Sequence, residues 1–396
     1  MYNSTQLNVE HKTLSNPFLW RGQFTPELID YFLDIHAKPH FLVGDPFSGS
    51  GTVLLECSKR GIDAIGCELN PSAYAMSKFF EIGNNLSFSE KWQLCQDILA
   101  LTSEIELPQC PLYQKELASN YRLAYQNLIQ FAKNTLQTSM SQQKQVFLLN
   151  ILFKMENYKK LTLDQAWHKA YNEISSFLFS LPESQAKISA LLCDARQLDQ
   201  GIARQIDLII TSPPYINVFN YHQNHRVIME LLDFDLLAVA QSELGANRKH
   251  RSNRFLTVIQ YCIDMAQTLN AMLRALSQTG RAIMIVGRES NVKKTAFYNG
   301  EIIKDLCQKT GIFNIIHQNE RHFRNKFGTM IYEDILVLEP NTEVENTDEI
   351  ARTVALAHLK DAMNRAPSES QADLLKAINA VHKVTASPLF EYRSQE

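Results

Sequence analysis

The stretch HFLVGDPFSGSGTVLLECSKRGIDAIGCELN, residues 40–70, contains two short apolar runs separated by a glycine turn and a helix-forming segment. The first run covers 40–47, and apolar residues then recur at helical spacing over 48–61. A second apolar run, 63–70, follows after a very short gap. This spacing is typical of a strand–helix–strand unit whose two strands lie parallel in one sheet.

Five further apolar runs of strand length follow in the second half of the chain. They cover 189–195, 206–212, 280–287, 312–318 and 332–340. Together with the first two they predict seven strands, five of them parallel and the last two able to pair antiparallel. A helix-forming stretch over 257–280 precedes the fifth strand, and Gly280 is expected to end that helix. We therefore predict an α/β protein with a Rossmann-like seven-stranded sheet.

The sheet-forming segments are interrupted by residues 88–187, which contain no glycine and carry apolar residues at helical spacing. We therefore predict one domain formed by 16–87 and 188–340, with 88–187 as a helical insertion and a candidate target-recognition region. The remaining residues, 341–396, are expected to form a helical C-terminal tail.

Composition and charge narrow the class of protein. The chain has 396 residues, of which 45% are hydrophobic and 20% charged, and its net charge is −3. No run approaches the roughly 18–20 apolar residues that span a bilayer, and the N-terminus lacks a signal-peptide pattern, so we expect a cytoplasmic protein without membrane contact. The seven cysteines include no CxxC pair and predict buried free thiols and no metal site. Any nucleic-acid surface must be local.

The glycine turn is the first candidate binding site. Gly49 and Gly51 lie between a strand and a helix, where glycine allows close backbone approach to a ligand and the helix offers unpaired N–H groups. Glu68 ends the second strand, where a carboxylate can accept both hydroxyls of a ribose. The three-glycine dinucleotide pattern and the P-loop lysine are both absent, which argues against phosphate ligands. A plain tight turn is the alternative interpretation.

Two aspartates extend this hypothesis. Asp45 lies inside the turn, where it would repel phosphates but suit a cationic, zwitterionic ligand. S-adenosylmethionine (SAM) fits, because it carries a ribose, an adenine, an ammonium group and a sulfonium but no phosphate. Asp194 ends the third strand and could accept the exocyclic amine of the adenine. A helix cap or a solvated strand end is the alternative role for Asp194.

The fourth strand ends in TSPPY, residues 211–215. Two prolines fix φ at two positions and remove two N–H donors, so the backbone carbonyls are held rigidly. The Ser212 hydroxyl and the Pro213 carbonyl are acceptors suited to an exocyclic amino group, and Tyr215 offers a flat face for stacking. Since parallel strands end at the ligand crevice, this segment is expected beside the cofactor. An ordinary proline-terminated strand is the alternative.

GDPFSGSGT, residues 44–52, together with TSPPY resembles the DNA amino-methyltransferases, which methylate cytosine N4 or adenine N6 on a SAM-dependent seven-stranded α/β sheet. RGQFTPEL, residues 21–28, is similar to a third family element that packs over the methionine end of SAM. The resemblance implies that the catalytic residues are Ser212, Pro213, Pro214 and Tyr215. The residues expected to bind SAM are Phe24, Thr25, Pro26, Asp45, Pro46, Phe47, Gly49, Gly51, Thr52, Glu68 and Asp194.

Within this family, serine at the first position of the catalytic motif favours cytosine N4 over adenine N6. The resemblance is to a restriction-modification-like methylase, and it implies a cognate restriction endonuclease that forms no stable complex with this protein. The alternatives are an adenine N6 enzyme, an RNA or protein-glutamine methyltransferase, and a non-catalytic SAM- or DNA-binding module. The oligomeric state stays open.

Double-stranded DNA is the expected partner, and the target base must leave the duplex to reach such a site. Residues 216–226, rich in Asn, His and aromatic side chains, suit a loop that closes over the flipped base. The segment 246–255 contains no acid and would neutralise phosphates locally. Its candidate DNA-binding residues are Arg248, Lys249, Arg251 and Arg254. A solvated basic loop is the alternative.

Overall fold

The computed structural model describes the chain at residues 2–9, 13, 16–18, 20, 22–103, 105, 109–136, 140–216, 220–246, 250, 252–325 and 328–391. Its strands are β1 (Leu42–Asp45), β2 (Asp63–Glu68), β3 (Ile188–Leu192), β4 (Ile206–Thr211), β5 (Leu276–Gly287), β6 (Glu289–Val292), β7 (Thr295–Tyr298), β8 (Phe313–Arg324) and β9 (Met330–Pro340).

Seven of these strands form the central sheet in the order β3-β2-β1-β4-β5-β9-β8. The five strands β3, β2, β1, β4 and β5 pair parallel with one another. β9 pairs antiparallel with both β5 and β8. The α/β prediction with a seven-stranded, mostly parallel sheet is therefore confirmed. β1 and β4 adjoin at the centre of the sheet, so the ends of the first and fourth strands lie side by side.

The helices surround this sheet. They are α1 (Ser4–Leu7), α2 (Pro26–His36), α3 (Thr52–Lys59), α4 (Pro71–Asn85), α5 (Phe88–Ser103), α6 (Tyr121–Ala124), α7 (Gln126–Thr135), α8 (Gln142–Met155), α9 (Leu163–Ser180), α10 (Arg226–Leu231), α11 (Leu236–Ser242), α12 (Leu256–Ala275), α13 (Asn299–Thr310), α14 (Thr347–Ala362) and α15 (Ser368–Asn379). Within the described ranges, none of them combines the length and apolar character needed to cross a bilayer.

The region around α12 and β5 differs from expectation. α12 ends at Ala275 and β5 begins at the next residue, so Gly280 lies inside the strand and does not end the helix. The pairing of β5 with β4 is irregular here, because the register shifts between the pair Ile206–Leu276 and the pair Leu208–Arg281. A glycine in such an irregular strand segment gives the same local signal as a glycine after a helix.

The segment 88–187 contains α5 to α9. Its longest helix, α9, begins with a capping box in which Thr162 and Gln165 each bond the other's backbone N–H. The buried residues of these helices belong to a hydrophobic cluster that also includes Phe79 and Phe80 of α4. Because the insertion and the sheet domain share this core, the domain boundaries given above stay a prediction.

The free-thiol prediction is wrong for two cysteines. Cys67 and Cys193 form a disulfide between the ends of β2 and β3, with Cα atoms 5.7 Å apart. The sequence separation of 126 residues conceals this pairing, which only the adjacency of the two parallel strands creates. The free cysteines among the described residues are Cys57, Cys95, Cys110, Cys262 and Cys307.

Gly51 and Gly61 both adopt left-handed backbone conformations, with φ of 84° and 68°. A Cβ at Gly51 would lie 2.7 Å from the Phe80 ring, whereas a Cβ at Gly61 would meet no heavy atom within 4 Å. We expect Gly61→Ala to lower the free energy of unfolding by about 1 kcal/mol, the cost of the left-handed conformation. Gly51→Ala should cost about 2 kcal/mol more, because the methyl group also overpacks α4.

Chemical denaturation of the two variants against the wild type measures this difference. Equal losses of stability in both would contradict the packing role of Gly51.

Candidate active site

One cavity opens along the carboxyl ends of the parallel strands and has a volume of about 960 Å³ including its mouth. Of the residues expected to form the site, it is lined by Phe24, Pro46, Phe47, Gly49, Thr52, Glu68, Asp194, Ser212, Pro213, Pro214 and Tyr215. The structure thus places the glycine turn, the carboxylate at the end of β2 and the whole SPPY motif around one space. The remaining residues expected there are Thr25, Pro26, Asp45 and Gly51, which lie outside this lining.

The N-terminal motif, residues 21–28, contributes to the cavity wall. Phe24 lines the cavity, whereas Thr25 is the N-cap residue of α2 and Pro26 its first residue. Gln23 joins this motif to the glycine turn, because its Nε2 donates to the Ser50 hydroxyl at 3.0 Å. The motif therefore packs over the glycine turn, and Gln23 and Phe24 line the cavity.

Glu68 and Gly49 hold each other at the cavity edge. The Gly49 N–H donates to Glu68 Oε2 at 2.8 Å, and the Asn70 N–H donates to Oε1 at 2.7 Å. Burial raises the pKa of the Glu68 carboxyl to about 7, against the opposing effect of these two hydrogen bonds. Each oxygen keeps a further acceptor position for a ligand hydroxyl. The ribose-binding role of Glu68 stays a prediction that this geometry permits.

Asp45 lies behind the cavity wall and bridges the two motifs. Its Oδ1 accepts the Thr211 hydroxyl at 2.6 Å and the Phe47 N–H at 3.1 Å. The first bond ties the end of β1 to the residue immediately before Ser212. Burial raises the pKa of the Asp45 carboxyl to about 7. Contact between Asp45 and a ligand stays a prediction, while its contact with Thr211 positions the catalytic motif.

The SPPY motif is supported from β9. The Ser212 and Tyr215 hydroxyls are 3.2 Å apart, and the Tyr215 hydroxyl donates to Glu333 Oε1 at 3.4 Å. Burial and the Glu333 carboxylate hold the pKa of Tyr215 well above its usual range, so the phenol stays protonated. A Cβ at Gly287 would lie 2.5 Å from the Tyr215 ring, which shows how closely the ring packs on β5.

Asp194 lines the cavity, but its carboxylate already has protein partners. Arg196 donates from Nε to Oδ1 at 2.9 Å and from Nη2 to Oδ2 at 2.5 Å. Asp194 also occupies the N-cap position of the short helix Ala195–Gln200. The alternative role of Asp194 as a helix cap is therefore present in the structure, and its role as an adenine acceptor stays a prediction.

Among the cavity residues outside the motifs, Trp20 and Glu243 carry no sequence signal, whereas Tyr221 belongs to the segment 216–226 that the sequence predicts to close over a flipped base. Trp20 and Tyr221 stack with ring centroids 5.5 Å apart and an interplanar angle of 17°. Glu243 accepts the His222 N–H at 2.6 Å, and its other oxygen lies 2.8 Å from His222 Nδ1. Asn70 also carries a sequence signal, because an Asn-Pro pair after a strand is a helix-start signal and Asn70 caps α4.

The proposed DNA-binding segment is described only in part. Arg254 is exposed and lies just before α12. Arg248, Lys249 and Arg251 lie outside the described residues. Their contacts with DNA stay a prediction.

Comparisons with known proteins match part of this chain. The family model described as DNA methylase matches residues 2–79. The Type II methyltransferase M.MjaII of Methanocaldococcus jannaschii is 42% identical over 52 residues, which make up 13% of this chain. The matched segment spans only 10% of the length of that relative.

Solved methyltransferase structures show a weaker likeness. TrmN from Thermus thermophilus is 15% identical with a TM-score of 0.33, over 81% of this chain and 50% of that one. A SAM-dependent methyltransferase from Methanosarcina mazei is 7% identical with a TM-score of 0.34, over 78% of this chain and 98% of that one.

The strand order defines a Rossmann-like α/β protein, and its cavity lies at the carboxyl edge of the sheet. Within that class, residues 2–79 carry the sequence signature of the DNA methylase family, which confirms the resemblance to DNA amino-methyltransferases over this segment. SAM is accordingly the expected cofactor. The matched segment contains the N-terminal motif, the glycine turn and Glu68, and it ends before the SPPY motif.

The raised pKa of Asp45 predicts a pH dependence of stability. An acid whose pKa is higher in the folded protein than in the unfolded chain destabilises the fold as pH rises, because the unfolded chain releases the proton first. Asp45→Asn removes this titration but keeps an acceptor for Thr211. Between pH 5 and 7, the free energy of unfolding should therefore fall more steeply in the wild type than in Asp45→Asn, by a few kcal/mol at most.

Urea denaturation of the ligand-free proteins across this pH range tests the expectation. Glu68 titrates in both proteins, so its contribution largely cancels in the comparison. Parallel pH profiles would show that Asp45 is ionised throughout.

Proposed function

We propose that this chain is a DNA methyltransferase that transfers a methyl group from SAM to an exocyclic amino group of a flipped base, with cytosine N4 favoured over adenine N6. The observation that carries the proposal is the shared cavity, which is lined by the glycine turn and Glu68 together with Ser212 and Tyr215. The proposed cofactor site and the proposed hydrogen-bond acceptors for the amino group therefore border the same space. A direct transfer between two bound molecules requires this proximity.

The cavity chemistry suits a cationic cofactor without phosphates. Three acidic side chains line it, Glu68, Asp194 and Glu243. These carboxylates favour a positively charged ligand and oppose a polyphosphate. When bound, SAM supplies an electrophilic methyl group on its sulfonium. The protein's part is to hold the cofactor and the acceptor nitrogen in line.

A chain of hydroxyl groups orients Ser212 toward the amino group. The Glu333 carboxylate only accepts, so the single Tyr215 proton points to Glu333 and the Ser212 proton points to Tyr215. The lone pairs of Ser212 are then free to accept an amino N–H of the base. Together with the Pro213 carbonyl, this acceptor draws the amino hydrogens away from the lone pair that attacks the methyl group. The attack needs no covalent bond between enzyme and base.

Duplex DNA is the proposed substrate, and bringing the base into the cavity costs roughly a few kcal/mol of unstacking and unpairing. The basic segment 246–255 would contact the phosphates of the duplex. Cytosine N4 rests on the serine of the motif, by resemblance within the family. A cognate restriction endonuclease belongs to the same proposal, as a protein that acts on the same DNA sites without stable association.

The proposal is tested by incubating the protein with methyl-labelled SAM and duplex DNA, followed by nucleoside analysis of the product. We expect label in N4-methylcytosine. Label in N6-methyladenine would correct the base, and label in RNA or protein with none in DNA would overturn the substrate. Ser212→Ala should retain SAM binding and lose turnover, because Ser212 contacts the base. Equal loss of binding and turnover would contradict that role.

The hydroxyl chain gives a separate prediction. Glu333→Gln places an amide that can donate to the Tyr215 hydroxyl, and this turns the Tyr215 proton toward Ser212. We expect kcat to fall about 10- to 100-fold, as for the loss of a positioned hydrogen bond in a transition state, with little change in KM for SAM. Tyr215→Phe, which keeps the ring, should lower kcat similarly, and the double variant should not be additive.

Glu339→Gln is the matched control, because Glu339 lies on the same strand and pairs with Arg281 at the surface. It should leave kcat unchanged. Additive effects of Glu333→Gln and Tyr215→Phe would mean that the two residues act independently.

A further inference from the structure

Residues 384–391 are here called the strap. They follow the short helix Val381–Lys383 and lead to Asp194, at the carboxyl end of β3. Val384, Ser387 and Phe390 of the strap are buried, whereas Leu389 is 47% exposed. The sequence predicts only a helical C-terminal tail over residues 341–396. The strap lies next to Asp194 and contacts its carboxylate through Phe390.

Two buried charged residues bind the strap through Ser387 and Pro388. Asp264 of α12 accepts the Ser387 N–H at 2.8 Å on one oxygen and the Ser387 hydroxyl at 2.6 Å on the other. Arg196 donates from Nη1 to the Ser387 carbonyl at 2.7 Å and from Nη2 to the Pro388 carbonyl at 2.9 Å. Three of these four hydrogen bonds fix the backbone of two consecutive strap residues, and the fourth holds the Ser387 side chain.

The same guanidinium holds the carboxylate that lines the cavity. Its Nε and Nη2 bind the two oxygens of Asp194, and its Nη1 also reaches Asp264 Oδ1 at 3.3 Å. The side chains of Arg196, Asp194 and Asp264 are 2%, 1% and 0% exposed. Arg196 thus joins the cavity wall to the strap by direct contacts on both sides.

The strap supplies hydrogen-bond donors to a buried cluster in which one guanidinium faces two carboxylates. Besides the long contact from Arg196, the donors to the Asp264 carboxylate are the N–H and the hydroxyl of Ser387. A buried charged group that loses its donors is costly, so without the strap Arg196 would be drawn toward Asp264 and away from Asp194. The position of the Asp194 carboxylate therefore depends on residues almost two hundred positions further along the chain, a separation of 191 residues for the Arg196–Ser387 bond.

The strap also reaches the helical insertion. Phe390 is buried in the hydrophobic cluster that contains the insertion helices, and its N–H donates to Asp194 Oδ2 at 3.4 Å. The strap is consequently anchored at one end by polar contacts to α12 and at the other by apolar contacts to the insertion.

We propose that Ser387 of the strap and Arg196 are positioning residues of the cofactor site, which hold the Asp194–Ala195 segment of the cavity wall in place for the adenine end of SAM. This inference rests on the proposed function. Asp194 Oδ1 accepts the backbone N–H and the Nε of Arg196, and Oδ2 accepts Arg196 Nη2 and the Phe390 N–H. The four acceptor positions of the carboxylate are therefore taken, and the segment meets a ligand as part of the cavity wall. The strap sets SAM affinity through Asp194 and takes no part in the methyl transfer itself.

Isothermal titration calorimetry of the full chain with SAM, in the absence of DNA, tests the proposal. Arg196→Lys keeps the charge but cannot bridge Asp194 and two strap carbonyls, and Ser387→Ala removes one donor to Asp264. We expect both variants to raise the Kd for SAM, Arg196→Lys by about tenfold, which corresponds to about 1.4 kcal/mol. The KM for SAM should rise by a similar factor, more than kcat at saturating SAM falls. Leu389→Ala is the control on the same strap and should leave the Kd unchanged.

Circular dichroism establishes that each variant is folded, and Ser387→Ala serves as the test if Arg196→Lys does not fold. A folded Ser387→Ala or Arg196→Lys with the wild-type Kd would overturn the role of the strap while leaving the proposed function intact. A wild-type protein that binds no SAM would instead overturn the proposed function itself, so the two failures are distinguishable.

Discussion

A buried hydrogen bond from the Thr211 hydroxyl to the Asp45 carboxyl joins the end of β1 to the end of β4. The glycine turn leaves β1 at this point, and the SPPY motif leaves β4 one residue beyond it. Because both chain exits start from one shared contact, the distance between the glycine turn and the SPPY motif is set by the sheet. The loops then only need to furnish side chains around a spacing that is already fixed.

Much of this arrangement follows from local patterns in the sequence. The two glycines, Glu68 at a strand end and the SPPY motif could all be placed, because parallel strands present their carboxyl ends at one edge. The seven strands were found because each is a short apolar run with a clear turn signal. The prediction failed at Gly280, where a glycine inside an irregular strand has the same local appearance as a helix end.

Residues that act through contacts distant in sequence left no comparable signal. Arg196 and Ser387 meet across 191 residues, and Tyr215 and Glu333 across 118, so neither spacing nor composition marks them. The Cys67–Cys193 disulfide and the Trp20–Tyr221 stack have the same origin. Asp194 shows the further limit that a strand-end carboxylate can be located from sequence while its partner cannot.

The position of β4 next to β1 also has a consequence for folding. β1, α3 and β2 are neighbours in sequence and can associate through short loops, whereas the hydrogen bond between Asp45 and Thr211 closes a separation of 166 residues. Contacts across such long separations form late and slow the folding of a domain, because the loop entropy must be overcome first. A partly folded chain can therefore contain the glycine turn and Glu68 in place, yet the SPPY motif joins them only when the middle of the sheet closes.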